Sequence, residues 1–335
     1  MHAVKSAGAQ AGLSRHLNQE RIVLFMTVLL FAAFALLLPK FLSAPNMLAL
    51  LRSVAVLGIL GVGMLLVVLG RGIDLSMVAI MAISVAWALQ LKNTGSSLGV
   101  ALLLGLGFAV LMSLISGLLI AYAEIPPLFA TLAMGTVVYG FGRAKLIAGT
   151  DVVYMPEDIG WIQALGQGVF LGIPAPVIIA LVVALLAWAF LYYTKPGRFI
   201  YAIGDNAAAA RISAIPVRPI LVLQYVMSGV IAFLAGVVTA TSVAAMNTRV
   251  VNSNMIYDVI LVVVLGGVGL SGGRGNVRNV LVGTLLIGVL VNGMTIMDVQ
   301  YTVQNVIKSL ILLAAIIADS VLNPRDEQTG QQGDI

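Results

Sequence analysis

Long apolar segments recur along nearly the whole of this 335-residue chain, and that recurrence narrows the possible folds more than any motif does. Runs of roughly 17–25 residues, the length of helix that crosses a hydrocarbon core of about 30 Å, follow one another from Ile22 almost to the C-terminus. Hydrophobic residues make up 61% of the sequence and charged residues 9%, which excludes a soluble globular domain, where about 25% are charged. The period-two alternation of a transmembrane barrel is absent. What remains is an all-α fold, a polytopic transmembrane helical bundle of about ten spans with interrupted helices.

The charges orient such a bundle. The net charge of +5 is scattered over loops and not gathered on one face, so it points to membrane orientation and to no nucleic-acid partner. Segment 195–218 carries Lys195, Arg198, Arg211 and Arg218 against Asp205 alone, and short basic loops stay on the cytoplasmic side. Segment 148–175 holds Asp151, Glu157 and Asp158 with no Lys or Arg, and is expected outside. The expected organisation is a cytoplasmic tail over 1–20, a transmembrane domain over 21–322 with a cytoplasmic loop at 195–218, and a cytoplasmic tail over 323–335. Within the loop, the alanines at 207–210 lie between Gly204 and Pro216, a pattern for a short helix. Such a helix is something a soluble partner can grip; the plainer reading is an orienting loop.

Two interruptions stand out. Arg71-Gly72-Ile73-Asp74-Leu75-Ser76 breaks one apolar stretch, and the short run 259–265 dissolves into the glycine-rich stretch 266–275. A charge at the bilayer centre costs roughly 2.5–3.5 kcal/mol, so Asp74 is expected at an interface or a cavity. It or Ser76 caps the next helix, or else lines a solute path. Val67-Val68-Leu69-Gly70 is echoed by Val263-Val264-Leu265-Gly266, and paired Gly-interrupted segments point to a transport site near the midplane. Gly105, Gly107, Ser113, Ser116 and Gly117 are small enough for close helix approach. No lysine follows a glycine, so the chain has no P-loop and binds no ATP itself. It has no cysteine, and its two histidines, His2 and His16, lie in the N-terminal tail. Thiol chemistry and a catalytic triad are excluded from the membrane part, and neither cofactor nor metal is expected. Asp74, Glu124, Asp258, Asp298 and Asp319 read as isolated carboxylates, caps or interfacial groups.

Several stretches together carry a family resemblance: Gly63-Met64, Gly72-Ile73-Asp74-Leu75-Ser76, Phe129-Ala130-Thr131-Leu132, Gly197-Arg198, Tyr201-Ala202-Ile203-Gly204, Ala209-Ala210-Arg211-Ile212-Ser213, Leu270-Ser271-Gly272-Gly273-Arg274-Gly275 and Asn292-Gly293. The chain resembles the membrane permease subunits of ribose/monosaccharide-type bacterial ABC importers, the branch that includes autoinducer-2 permeases. The resemblance implies a non-catalytic subunit of the inner membrane, with ATP hydrolysed on a partner chain. It implies that Gly197, Arg198, Tyr201, Gly204, Asn206, Ala210 and Arg211 meet an ATP-binding-cassette ATPase. It further implies a periplasmic substrate-binding protein and a second permease copy or paralogue, all within membrane lipid. An uncharged small polyhydroxylated solute such as a monosaccharide needs hydrogen-bonding and aromatic side chains; Asp74, Ser76, Phe129, Asn292, Tyr301 and Gln304 are the candidates for its path. The alternative is an ion-coupled secondary transporter with Asp74 or Asp258 as its ion site.

Overall fold

The computed structural model describes residues 19–322, with side chains as far as Ile317. The tails expected at 1–20 and 323–335 therefore fall, apart from Gln19 and Glu20, outside the described residues. In chain order the helices are α1 (Gln19–Leu37), α2 (Ala44–Leu69), α3 (Met77–Asn93), α4 (Leu98–Ala121) and α5 (Pro127–Phe141), which runs on into a π-helical turn, Gly142–Leu146. Then come α6 (Ala164–Gln167), α7 (Ala175–Tyr193), α8 (Lys195–Asp205), α9 (Ala207–Ile212), α10 (Val217–Val243), α11 (Met255–Leu265), α12 (Val277–Ile296) and α13 (Tyr301–Leu322). Six of these helices, α1, α2, α4, α7, α10 and α12, are long and apolar enough to cross a membrane. The chain is a multi-pass, all-α membrane bundle. By contrast α11, with 11 residues, reaches only about 16 Å, roughly half a hydrocarbon core.

The bundle is built around α3, which is buried without a break from Met77 to Ala86. Helices α4, α5 and α10 pack around it, and α10 also lies along α2 and α4. Glycines set these distances. A Cβ on Gly105 of α4 would stand 2.7 Å from Ser84 O, and one on Gly236 of α10 would stand 2.7 Å from Met81 O. Gly117 of α4 faces Val222 Cα of α10 at 2.9 Å in the same sense. Gly107 is different: it is exposed with open space beside it, so its expected packing role is not found. The outer skin is apolar, with Phe25 and Leu36 on α1, Leu185 and Leu186 on α7, and Leu310 and Leu313 on α13 all exposed. Buried serines, threonines and Gln224 sit inside. That inversion suits a bundle solvated by lipid.

The acidic segment is more structured than a loop. It forms β1 (Val152–Tyr154), a 3-10 turn (Glu157–Gln163), α6, and a hairpin of β2 (Val169–Phe170) with β3 (Ile173–Pro174). Strand β1 pairs antiparallel with β4 (Ala245–Asn247), Val153 opposite Met246, so the ends of α10 and of the π-helical turn share one face. This segment lacks cations of its own, and other elements supply them. Lys92 pairs with Asp158, while Arg143 at 2.7 Å and Arg249 at 2.6 Å hold the two oxygens of Asp151. The hydrogen bond from Arg249, with both guanidinium charges, keeps the Asp151 carboxyl below the usual carboxylate range.

The basic segment departs from the loop expected of it. Thr194 Oγ1 accepts from Gly197 N at 3.1 Å and Pro196 occupies the first turn, so residues 195–205 form helix α8. The alanine run does form the short helix α9, capped by Asn206 Oδ1, which accepts from Ala209 N at 2.9 Å. Helix α12 starts at Val277, earlier than its apolar pattern indicates, because Asn276 and Asn279 make a reciprocal capping box.

Leucine at Gly117 must push α4 off the α10 backbone, whereas leucine at Gly107 meets nothing. We expect Gly117→Leu to lower unfolding stability in detergent by about 1–3 kcal/mol and Gly107→Leu to leave the melting temperature unchanged.

Candidate functional site

Helix α2 stops inside the bundle, and its free groups must find partners there. Leu69 O accepts from Gly273 N at 2.9 Å, and Leu66 O accepts from Gln224 Nε2 of α10 at 2.9 Å. Arg71 then turns the chain with φ of 67°, in the left-handed region. Ile73 O accepts from Thr131 Oγ1 of α5 at 3.2 Å. Asp74 is 1% exposed and all its contacts are short. Its Oδ1 accepts from Ser76 N at 3.0 Å and from Ser76 Oγ at 2.6 Å, and its Oδ2 accepts from Ser228 Oγ of α10 at 2.7 Å. The carboxylate thus faces the positive N-terminal end of α3 and is tied to α10. Tyr225 is buried beside it, close to Gly72.

Helix α8 lies against this break with one face and is open on the other. Gly197, Ile200, Ile203 and Gly204 are buried, while Arg198, Asp205 and Asn206 are exposed. At Gly204 the absence of a side chain is required: a Cβ would overlap Leu69 O and Gly273 N. Arg71 Nε donates to Gly204 O at 2.8 Å and its Nη2 to Asp205 O at 2.7 Å, so a cation covers the C-terminal carbonyls of α8. Tyr201 Oη donates to Gly275 O at 2.9 Å, and burial raises the Tyr201 phenol above its ordinary value, which keeps that donor protonated. Helix α8 therefore touches both interruptions at once: the α2–α3 turn through Gly204, and the glycine turn 266–275 through Gly204 and Tyr201. Beyond it, Ala210 is buried, whereas Arg211 and Ile212, the latter 89% exposed, stand free of the bundle.

The seven residues expected to meet an ATPase thus divide by position. Arg198, Asn206 and Arg211 lie on the open face; Gly197, Tyr201, Gly204 and Ala210 seat the two helices on the bundle. The six residues expected along a solute path are not brought together. Asp74 and Ser76 bond to each other at the entry to α3, where the Ser76 side chain itself caps no backbone N–H. Phe129 is exposed on α5. Asn292 exchanges two hydrogen bonds with Asn46, at 3.0 and 2.9 Å, and so fastens α12 to α2. Gln304 is buried and donates to Val299 O at 2.8 Å, closing the turn before α13, while Tyr301 is exposed beside it.

The sequence reading assigned no role to four participants. Gln224 and Ser228 are one turn apart on α10, a polar pair inside an apolar span. Asn279 is buried and donates to Gly266 O at 2.7 Å, anchoring the glycine turn. Asp258 is not isolated: Lys308 Nζ lies 2.7 Å from its Oδ1 and 2.8 Å from its Oδ2. The signal was legible, since Lys308 is the one lysine or arginine between Tyr301 and Leu322.

Residues 46–318 match the family described as the permease component of a branched-chain amino acid transport system. The chain belongs to this permease family. Among curated relatives, the ribose import permease protein RbsC of Bacillus subtilis is 37% identical over 285 residues, 85% of this chain and 88% of that protein. The galactofuranose transporter permease protein YtfT of Escherichia coli is 36% identical over 272 residues, 81% of this chain and 78% of that protein. The L-arabinose ABC transporter permease protein AraH of Azospirillum brasilense is 32% identical over 317 residues, 95% and 92% of the two chains. No solved structure matches the chain. Neither carboxylate of the ion-coupled alternative is free in this permease, because Asp258 faces an ammonium and Asp74 is saturated by serines.

Removing the Ser228 hydroxyl leaves one oxygen of a buried carboxylate without its donor. We expect Ser228→Ala to destabilise the permease by about 1–3 kcal/mol in detergent, and Asp74→Asn to do the same, read as a lowered melting temperature.

Proposed function

We propose that the chain is the membrane permease subunit of an ABC importer that carries a neutral monosaccharide across the bacterial inner membrane. The ribose, galactofuranose and arabinose permeases among its relatives support a sugar over the amino acids of the family description. In this reading the chain crosses the membrane ten times, by α1, α2, α3, α4, α5, α7, α10, α11 with its glycine turn, α12 and α13. The face bearing α8 and α9 is cytoplasmic, as is the N-terminus, and the Asp151 face is periplasmic. A periplasmic binding protein delivers the sugar there, and a second permease copy or paralogue completes the path.

The observation that carries this reading is the placement of α8 and α9. An exposed surface of Arg198, Asn206, Arg211 and Ile212 continues directly into backbone contacts with both helix interruptions. An ATPase that grips the outer surface moves α8, and α8 cannot move without moving Leu69 and Gly273. Work done on nucleotide by the partner thereby reaches two broken helices in a chain that has no nucleotide site of its own.

Charge reversal at the exposed arginine should cut this connection without disturbing the bundle. We expect Arg211→Glu to insert normally, but to lower sugar-stimulated ATPase activity of the assembled complex about tenfold or more, the loss of one charge-assisted contact. Wild-type stimulation in that variant would sink the coupling assignment. The cysteine-free chain also permits a clean topology test: Ala208→Cys should react with an impermeant maleimide in inside-out vesicles and stay unreactive in spheroplasts.

A further inference from the structure

A cavity of about 270 Å³ lies between α11 and α13, on the half of the bundle that carries Asp151. Its polar wall consists of Asn254, Tyr257, Asp258, Asn305, Lys308 and Ser309; the buried Leu261 closes it on α11, and Leu313 and Ile316 at its α13 end are exposed. Three features of that wall go beyond packing. Lys308 is 6% exposed and the side chain of its partner Asp258 is 23% exposed, so the ammonium–carboxylate pair stands largely out of water with the carboxylate at the cavity wall. A buried ion pair is no more stabilising than a well-packed apolar pair of similar volume, so fastening α13 to α11 does not account for it. Asn305 Oδ1 is buried and accepts no hydrogen bond, an acceptor whose missing donor must come from whatever enters the cavity. Tyr257, at the same wall, is exposed and offers an aromatic face.

We propose that this cavity is a solute subsite on the periplasmic half of the permease, shaped for one neutral monosaccharide. The inference rests on the importer reading and names where the sugar is held. The volume lies just below the range of about 300–1,000 Å³ typical of small-molecule sites, which suits a single sugar ring. The carboxylate of Asp258 accepts from neighbouring hydroxyls, Lys308 donates to a hydroxyl or ring oxygen, and Asn305 Oδ1 takes a third hydroxyl proton. Because the ion pair sums to zero charge, the wall can give directional hydrogen bonds to an uncharged solute while offering no net attraction to an anionic one.

Two variants test the subsite in proteoliposomes holding the permease, its ATPase and its binding protein, with radiolabelled D-ribose, D-galactose and L-arabinose as probes. Asn305→Leu removes only the unpartnered amide; a purely structural role predicts equal or higher stability and unchanged transport. The subsite predicts retained stability and retained ATPase stimulation, with sugar delivered per ATP hydrolysed reduced about tenfold, the loss of one buried hydrogen bond. The exchange Asp258→Lys with Lys308→Asp keeps an ion pair but inverts the wall; a fastening role predicts restored uptake, and the subsite predicts an assembled complex that stays uncoupled. Wild-type delivery per ATP in Asn305→Leu overturns the subsite, including where lipid content or dimer formation is altered. Failure of the wild-type complex to take up any of the three sugars would instead defeat the sugar-importer reading itself.

Discussion

Helices that stop within a bilayer-solvated bundle leave carbonyls and N–H groups that no water can reach, and the rest of this architecture answers to that constraint. Helix α2 ends at Leu69 with its last carbonyls directed into protein. Helix α10 runs beside it and supplies Gln224 to Leu66 O, while the glycine turn supplies Gly273 N to Leu69 O. On the far side of the break, Asp74 accepts from Ser76 N just ahead of α3, and α10 returns with Ser228 to satisfy the carboxylate. One long helix thus serves both sides of the interruption. Its glycines at 229 and 236 let it lie close against Ser113 of α4 and Met81 of α3.

The same economy of partners makes two distant interruptions one mechanical body. Leu69 O is held by Gly273 N, and Gly204 fits over both because it has no side chain. Arg71 then closes the carbonyl end of α8. Every contact in this junction runs to or from the main chain. The contacts among Leu69, Gly273 and Gly204 are main chain against main chain, and Arg71 reaches across to them by its side chain.

The helical class, the two interruptions and the opposed basic and acidic faces were legible because each is a statement about hydrophobicity or charge along a line. The glycine-rich stretch 266–275 does form a turn, and the Val67–Gly70 echo of Val263–Gly266 does mark the ends of two helices, α2 and α11. What the sequence left open were the partners of single polar side chains. Asn292 and Gln304 were taken for a solute path because they are polar in apolar surroundings, yet their hydrogen-bonding is spent on Asn46 and Val299 O. Partners 246 residues apart for Asn292, or 50 apart for Asp258, are set by the three-dimensional packing of spans and leave no local trace. Residues 195–205 were read as loop because their basic charges dominate the composition. The periodicity of Gly197, Ile200, Ile203 and Gly204 on one face carried the helical signal all along.

The two interruptions are not equivalent. The first is locked by a carboxylate with three hydrogen bonds to Ser76 and Ser228, and its turn contains Arg71 in a left-handed conformation that only a fixed environment sustains. The second is locked at its far end by the neutral Asn276–Asn279 box, and between them four glycines, Gly267, Gly272, Gly273 and Gly275, take positive φ at no steric cost. Glycines in such conformations offer the least resistance to rearrangement, so the compliant element is the 266–275 turn and the rigid one is the α2–α3 turn. Helix α8 rests on both, but Tyr201 reaches only the compliant one, through Gly275 O. Leu69 O nevertheless holds Gly273 N, so the two turns stay in contact beneath α8. Helix α11 is the half-length helix whose Asp258 stands at the wall of the polar cavity. The geometry thereby connects the surface open to a soluble partner, by a chain of contacts along one broken helix, to the buried polar groups on the opposite half of the bundle.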